Sequence, residues 1–276
     1  MLLRHLTDSD RPAIHETFLG AFADYEIPVD FDFAMLERLM TRRGTDLSVS
    51  VGAFDGHRMA AVMATALREF EGTLSAYDTF TGVRPEWRGQ RLAGRMFAFA
   101  QPQLEQRGVR RFVLEVIETN EPAIRAYERA GFATRRRLEC FEVGGETLRS
   151  VVPPTTMTVE RITSPTPGTW RDWRDWEPSW QNSDASLRES VEEVVWLEAR
   201  TRSGPVGYAA VVPDARDLPQ LAVRSDSRRQ GVATALLAEA ARRLPAGAGL
   251  RVINVDGGSS ADLAFYGRLG VADLPA

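Results

Sequence analysis

Cysteine is almost absent from this chain of 276 residues: Cys140 is the only one, so no intrachain disulfide can form. Histidine is scarce as well. His5, His15 and His57 beside one cysteine fall short of a zinc ligand set, and no metal is expected. Long apolar runs are missing too. The N-terminus, MLLRHLTDSDRP, lacks the apolar core of a signal peptide, and no stretch approaches a membrane span. A cytoplasmic protein with no membrane partner is the expectation. Charge of one sign is not in excess: a net charge of -4 and a pI near 5.6 give no general attraction to nucleic acid. The remainder, 43% hydrophobic and 26% charged, is that of a folded globular protein long enough for two domains.

The chain repeats itself at long range. Two Gly/Arg-rich turns each follow an apolar strand pattern and precede a helical one, TGVRPEWRGQRLAGRMFAF (Thr81–Phe99) and LAVRSDSRRQGVATALLAEAARRL (Leu221–Leu244). Val83 and Val223 differ by 223 − 83 = 140, and Arg88/Arg228 and Ala93/Ala233 share that offset. Downstream, AIRAYERAGF (Ala123–Phe132) answers DLAFYGRLGV (Asp262–Val271), with Tyr127 and Tyr266 offset by 139. Two motifs in one order at nearly one offset indicate duplication. The Gly-Gly and Pro-Pro pairs between Gly144 and Thr169 punctuate the join, which is placed near residue 154, giving domains 1–154 and 155–276.

Each half reads as mixed α/β. In the first, an edge strand over LLRHLT precedes helices after Asp8/Ser9 and over residues 33–43. A hairpin turning at Asp55-Gly56 follows, then a strand ending at Val83 and a helix from about Arg88 to Arg107 that Pro102 should kink or shorten. RRFVLEVI is read as a strand, residues 121–130 as a helix and ATRRRLECFEV as the first domain's last strand. The second half repeats the plan but ends five residues after Val271. It is therefore either incomplete or dependent on strands from the first.

A helix N-terminus carries unpaired N–H groups and a partial positive charge, which suit a pyrophosphate. In Arg228-Arg229-Gln230-Gly231-Val232-Ala233, glycine allows close backbone approach, small Ala233 leaves the next N–H open, and arginine adds charge-assisted donors. This R-x-x-G-x-A pattern after a strand ending V-R, upstream of a Y-x-x-x-G motif, resembles the coenzyme A pyrophosphate motif of the GNAT superfamily of N-acetyltransferases. The resemblance covers nearly the whole chain. It implies two tandem GNAT folds, the C-terminal copy shortened, with acetyl-CoA as co-substrate. The first copy, Arg88-Gly89-Gln90-Arg91-Leu92-Ala93, has Arg91 where the family has glycine. A right-handed helical conformation there would tolerate arginine.

In the family an asparagine precedes, by seven positions, a tyrosine on the next helix. Asn120 and Tyr127 match, as 127 − 120 = 7, whereas the second copy has Ser259 seven before Tyr266. The resemblance thus implies that Asn120 binds the pantetheine arm and that Tyr127 protonates the departing thiolate. It also implies that main chain near Thr81 and Val83, or Val223 in the second copy, holds the thioester. The N-terminal copy is accordingly expected to be catalytic. Asp78, Glu115 and Glu118 are the candidate general bases, with Glu115 and Glu118 on opposite faces of a regular strand.

The implied reaction is direct transfer to a primary amine of a small molecule, by a monomer or homodimer. Acidic and aromatic residues in Ala23–Asp30 (ADYEIPVD) suit a cationic amine such as a polyamine or amino sugar. Trp170, Trp173, Trp176 and Trp180 recur at helical spacing, as a packing stripe or an aromatic floor. Two alternatives stand beside this reading. One is a non-catalytic acyl-CoA-binding module; the other is catalysis by the C-terminal copy.

Overall fold

The computed structural model describes residues 1–25, 29–152, 154–163, 170–190, 194–269 and 272–273, and the chain divides into two compact units, Met1–Ala133 and Thr134–Ala276.

The first unit is a five-stranded mixed sheet between two helical layers. Its elements are β1 (Leu2–His5), α1 (Arg11–Phe22), α2 (Phe33–Arg43), β2 (Val51–Asp55), β3 (Arg58–Phe70), β4 (Thr73–Val83), α3 (Leu92–Gln106), β5 (Arg111–Val113) and α4 (Glu121–Arg129). The strands stand in the order β1-β2-β3-β4-β5. Alternation along β3 sends Val62 and Ala64 to a core with Ile14, Phe18 and Leu36, and Ala61 and Met63 to a core with Leu92 and Met96. Residues four apart on α3, Leu92, Met96, Ala100 and Leu104, face that second core. Sequence signals explain α2 well: the Asp32 side chain accepts from the Met35 N–H at 2.7 Å, and Gly44 ends the helix in the left-handed region.

Three local expectations change. Helix α3 starts at Leu92, after a short 3-10 turn over Pro85–Trp87, and runs through Pro102 to Gln106 without being shortened. Strand β5 is only three residues long, so Glu115 and Glu118 lie beyond it and strand alternation does not order them.

The second unit contains β6 (Leu138–Val143), α5 (Gly145–Arg149), β7 (Thr158–Ile162), α6 (Asp184–Glu189), β8 (Val195–Thr201), β9 (Gly204–Val212), β10 (Asp217–Val223), α7 (Val232–Ala241), β11 (Leu250–Asp256), α8 (Ser260–Gly267) and β12 (Ala272–Asp273). Its sheet has seven strands in the order β12-β6-β11-β10-β9-β8-β7. Strand β6 is the segment read as the end of the first domain. It lies antiparallel to β11, with Leu250 opposite Val143, and Phe141, Val143 and Leu148 enter the second unit's core. The boundary therefore falls at 133/134 and not near 154, because this segment's apolar side chains are buried in the second sheet. The shortfall at the C-terminus is made good by an earlier strand, one of the two outcomes the sequence left open.

Both units carry the same irregularity beside the cleft. Ala64 pairs with Phe80 while Thr65 pairs with Asp78, so Thr79 is an extra residue in β4. Ala210 pairs with Gln220 while Val212 pairs with Asp217, leaving one extra residue across Leu218 and Pro219. A bulge is where a strand tolerates proline, which has no N–H to pair.

Candidate active site

The two Gly/Arg turns fold alike down to individual hydrogen bonds. Arg88 donates from Nε to the Val83 carbonyl (3.2 Å) and from Nη2 to the Ala21 carbonyl (2.9 Å), and pairs with Asp24 at 2.6 Å. Arg228 donates from Nε to the Val223 carbonyl (3.1 Å) and from Nη2 to the Trp173 carbonyl (3.3 Å), and pairs with Asp175 at 3.0 Å. The first arginine of each turn is thus a pin holding the turn to an earlier loop. Two positions per turn are left-handed: Gly89 (φ 78°) and Arg91 (φ 56°), then Arg229 (φ 62°) and Gly231 (φ 83°). Arg91 is not the right-handed residue expected, because the chain must reverse there to enter α3. A side chain in that region costs roughly 1 kcal/mol, and each turn carries one glycine and one arginine in swapped order.

Neither α3 nor α7 has a side-chain N-cap, so their first N–H groups remain available to an anion. The Arg229 and Arg91 side chains have no hydrogen-bond partner among the described residues. At the level of the turn, both copies fit a pyrophosphate.

In both copies the strand before the turn runs on beyond its parallel pairing, β4 past Tyr77 and β10 past Asp217, but the space left there differs. In the second unit β10 and β11 pair in parallel only at Asp217 and Arg251. Beyond that point a cleft of about 410 Å³ lies between them, walled by Leu221, Val223, Val252 and Phe265 and reaching Arg229, Gly231 and Ala233. Tyr266 lines it and stacks on Phe141, with ring centroids 5.3 Å apart. Burial raises the Tyr266 phenol well above its ordinary pKa, and its hydroxyl has no hydrogen-bond partner among the described residues. In the first unit the corresponding space is about 20 Å³. Phe97, Phe112 and Phe132 fill it as a triangle with centroid separations of 5.2, 5.1 and 5.6 Å.

A model of the Acetyltransferase (GNAT) family matches residues 11–132, and one of the Acetyltransferase (GNAT) domain matches residues 192–271. The chain belongs to the GNAT acetyltransferase family. Over 73 residues it is 33% identical to N-alpha-acetyltransferase 30 of Schizosaccharomyces pombe, covering 26% of this chain and 49% of that protein. The chain thus spans about half the length of this curated relative. Among solved structures, a tandem GNAT protein from the clavulanic acid biosynthesis pathway superposes with a TM-score of 0.72 at 14% identity, covering 99% of this chain and 95% of that one. A GCN5-related N-acetyltransferase from Sphaerobacter thermophilus gives 0.68 at 19% identity, covering 99% and 92%. At these identities the likeness is one of fold: this is a tandem GNAT protein, and acyl-CoA is the family's acyl donor.

Within the first GNAT copy, two of the expected catalytic residues, Asp78 and Tyr127, hydrogen-bond each other beside that small space. Tyr127 donates to Asp78 at 3.0 Å, and Thr81 donates to the other Asp78 oxygen at 2.9 Å. Burial pushes the Asp78 carboxyl up to about 6, against the Thr81 and Tyr127 hydrogen bonds, which favour the anion. Each of its oxygens accepts one hydrogen bond. Glu115 is not brought to this group and hydrogen-bonds buried Tyr77 instead. Asn120 caps α4, its Oδ1 accepting from the Ala123 N–H at 3.2 Å. Asp24 is held by Arg88 and Glu26 lies outside the described residues, so exposed Asp30 is the described carboxylate of that loop without a hydrogen bond or ion pair.

The tryptophans are not on one helix. Short 3-10 turns cover Arg171–Trp173 and Trp180–Asn182. Trp170 stacks on Tyr208 at 4.2 Å and Trp180 is fully buried, whereas Trp173 and Trp176 line the second copy's cleft. Trp176 donates to Asp262 on α8 at 2.8 Å. Of the two readings the sequence left open for the tryptophans, Trp170 and Trp180 take the packing role and Trp173 and Trp176 face the cleft, while sequence reasoning missed Phe265; the one usable signal was that the intact Gly231 turn and Tyr266 share a copy. No helix among the described residues is long and apolar enough to cross a membrane.

Proposed function

We propose that this protein is an acetyl-CoA-dependent N-acetyltransferase acting on a primary amine of a small molecule, and that its C-terminal copy carries the reaction. The observation behind this reading is the contrast between a cleft of about 410 Å³ and one of about 20 Å³ in two copies with the same turn. Only the larger admits an extended pantetheine chain.

The residues of that cleft fit the donor. N–H groups of Val232 and Ala233 at the uncapped start of α7, with Arg229 beside them, suit the pyrophosphate. The stretch Leu221–Val223 of β10 has no β11 partner and offers main-chain groups to an extended arm, as an added strand would receive them. Acetyl-CoA, when bound, supplies the acetyl group; the amine gains it as the C–S bond is exchanged for a C–N bond. Tyr266 holds its proton on Oη at neutral pH, because burial raises its pKa, and its hydroxyl, unlike that of Tyr208 in the same cleft, has no protein partner among the described residues and can give a proton to a leaving thiolate. Apolar walls exclude water from that exchange.

Two measurements test the assignment. Calorimetric titration of the intact chain with acetyl-CoA is expected to give one equivalent, and Tyr266→Phe to slow thiol release on the order of 100-fold, with Tyr127→Phe within about twofold of wild type. Two equivalents, or a loss confined to Tyr127→Phe, would return the chemistry to the N-terminal copy.

A further inference from the structure

Beneath the open cleft lies a polar cluster that the sister copy lacks. Arg174 donates from Nε to Tyr208 Oη (2.5 Å) and from Nη2 to Gln220 Oε1 (2.9 Å). Both Asp184 oxygens accept from it, Oδ1 from Nη2 at 2.6 Å and Oδ2 from Nη1 at 3.3 Å. Tyr208 in turn donates to Gln220 at 3.1 Å, and Gln220 Nε2 donates to the Asn182 carbonyl at 2.7 Å. Arg174, Tyr208 and Gln220 line the cleft, and the Arg174 side chain is 12% exposed. Burial opposes ionisation of Asp184, yet the Arg174 hydrogen bonds and charge hold its carboxyl below the usual range.

The duplication supplies a control. Tyr208 pairs with Ala222 as Val62 pairs with Gly82, and 222 − 82 = 140, so Tyr208 stands where the first copy has Val62. By the same offset Gln220 stands where the first copy has Phe80, which packs on Phe18 at 4.9 Å. The fold is therefore satisfied by apolar residues at these sites. A desolvated charged cluster adds little stability over such residues, so its place in the cleft wall calls for a ligand.

Resting on the acetyltransferase reading above, we infer that the acceptor is an amine that also carries a carboxylate, and that Arg174 receives this carboxylate. Four of the five guanidinium N–H donors are used internally, which fixes the group's orientation and leaves one on Nη1. Trp173 and Trp176 beside it keep the site dry, which strengthens a charge-assisted bond. The carboxylates lining the cleft are engaged elsewhere: Asp175 with Arg228, and Asp262 with Trp176 and Ser259. A polyamine would set a second ammonium against the guanidinium. The cationic acceptor expected from the first copy's loop is thereby disfavoured.

Thiol release from acetyl-CoA by the full chain, with amines matched except for the carboxylate, tests this. Phenylalanine against phenethylamine and lysine against cadaverine serve as pairs, with glucosamine as a hydroxylated amine. The carboxylate member is expected to have at least about tenfold higher kcat/KM. Removing both charges together, Arg174→Met with Asp184→Leu, avoids leaving a lone buried charge; in this variant, with folding checked by melting, the ratio should fall toward one. Equal or reversed preference, or a preference that survives in the folded double variant, overturns the inference alone. One bound equivalent of acetyl-CoA with no amine acetylated, or no acetyl-CoA bound at all, overturns the enzyme reading and this inference with it.

Discussion

The two GNAT copies share a turn, a pinned arginine and a bulged strand, yet one holds a cleft and the other three phenylalanines. The shared parts are backbone devices: left-handed residues at 89/91 and 229/231, and an extra residue in β4 and β10. Apart from the strands β6 and β12 that the second sheet adds, the differences beside the turn are in side-chain volume and polarity. Phe97, Phe112 and Phe132, each half-buried, set their rings together where the second copy keeps open space, and Tyr127 hydrogen-bonds Asp78. A duplicated fold can thus retain its scaffold while side chains alter the space beside one of its two turns.

The largest effect that sharpens this comparison concerns β6. Phe141 is 7% exposed and supports Tyr266 by stacking, so Phe141→Ala should cost about 3–5 kcal/mol. Unfolding followed by tryptophan fluorescence reports mainly the second copy, since Trp87 is the single tryptophan of the first. An unchanged fluorescence transition would place β6's contribution elsewhere.

A smaller effect distinguishes the first copy's interior carboxylate from a working base. The Asp78 pKa is raised from 3.8 to about 6, so between those pH values the folded state keeps a proton that the unfolded state has released. Stability therefore falls as pH rises through that window and levels off above it. The shift corresponds to at most about 3 kcal/mol. Asp78→Asn should flatten this slope and raise stability at pH 7.5, without loss of thiol release. A variant with the slope intact and activity gone would make Asp78 part of the chemistry.

The smallest effect tests the turns themselves. Gly231→Arg places a side chain at φ 83° and should weaken acetyl-CoA binding about fivefold, for about 1 kcal/mol. The reciprocal Arg91→Gly relieves the strain at φ 56° but should add no second binding equivalent, because the phenylalanines still fill the cleft. Gain of a second equivalent would show that the turn, and not the cleft, governs binding.

The sequence by itself determined the duplication, the mixed α/β class, the turn–helix units and the helix over 33–43, because these depend on local spacing and on single residues such as Gly231. It also carried the family through Arg228–Ala233 and the two tyrosines. Tertiary structure alone decided which sheet takes Leu138–Val143, since any alternating strand can pair with several edges and the choice falls to where Phe141 and Val143 are buried. It alone showed that in the better-matched pair by sequence Asn120 caps α4 and Tyr127 hydrogen-bonds Asp78. Open volume is a sum over side chains distant in sequence, Phe97 with Phe112 and Phe132 in one copy and Arg174 with Gln220 in the other. No local pattern encodes that sum.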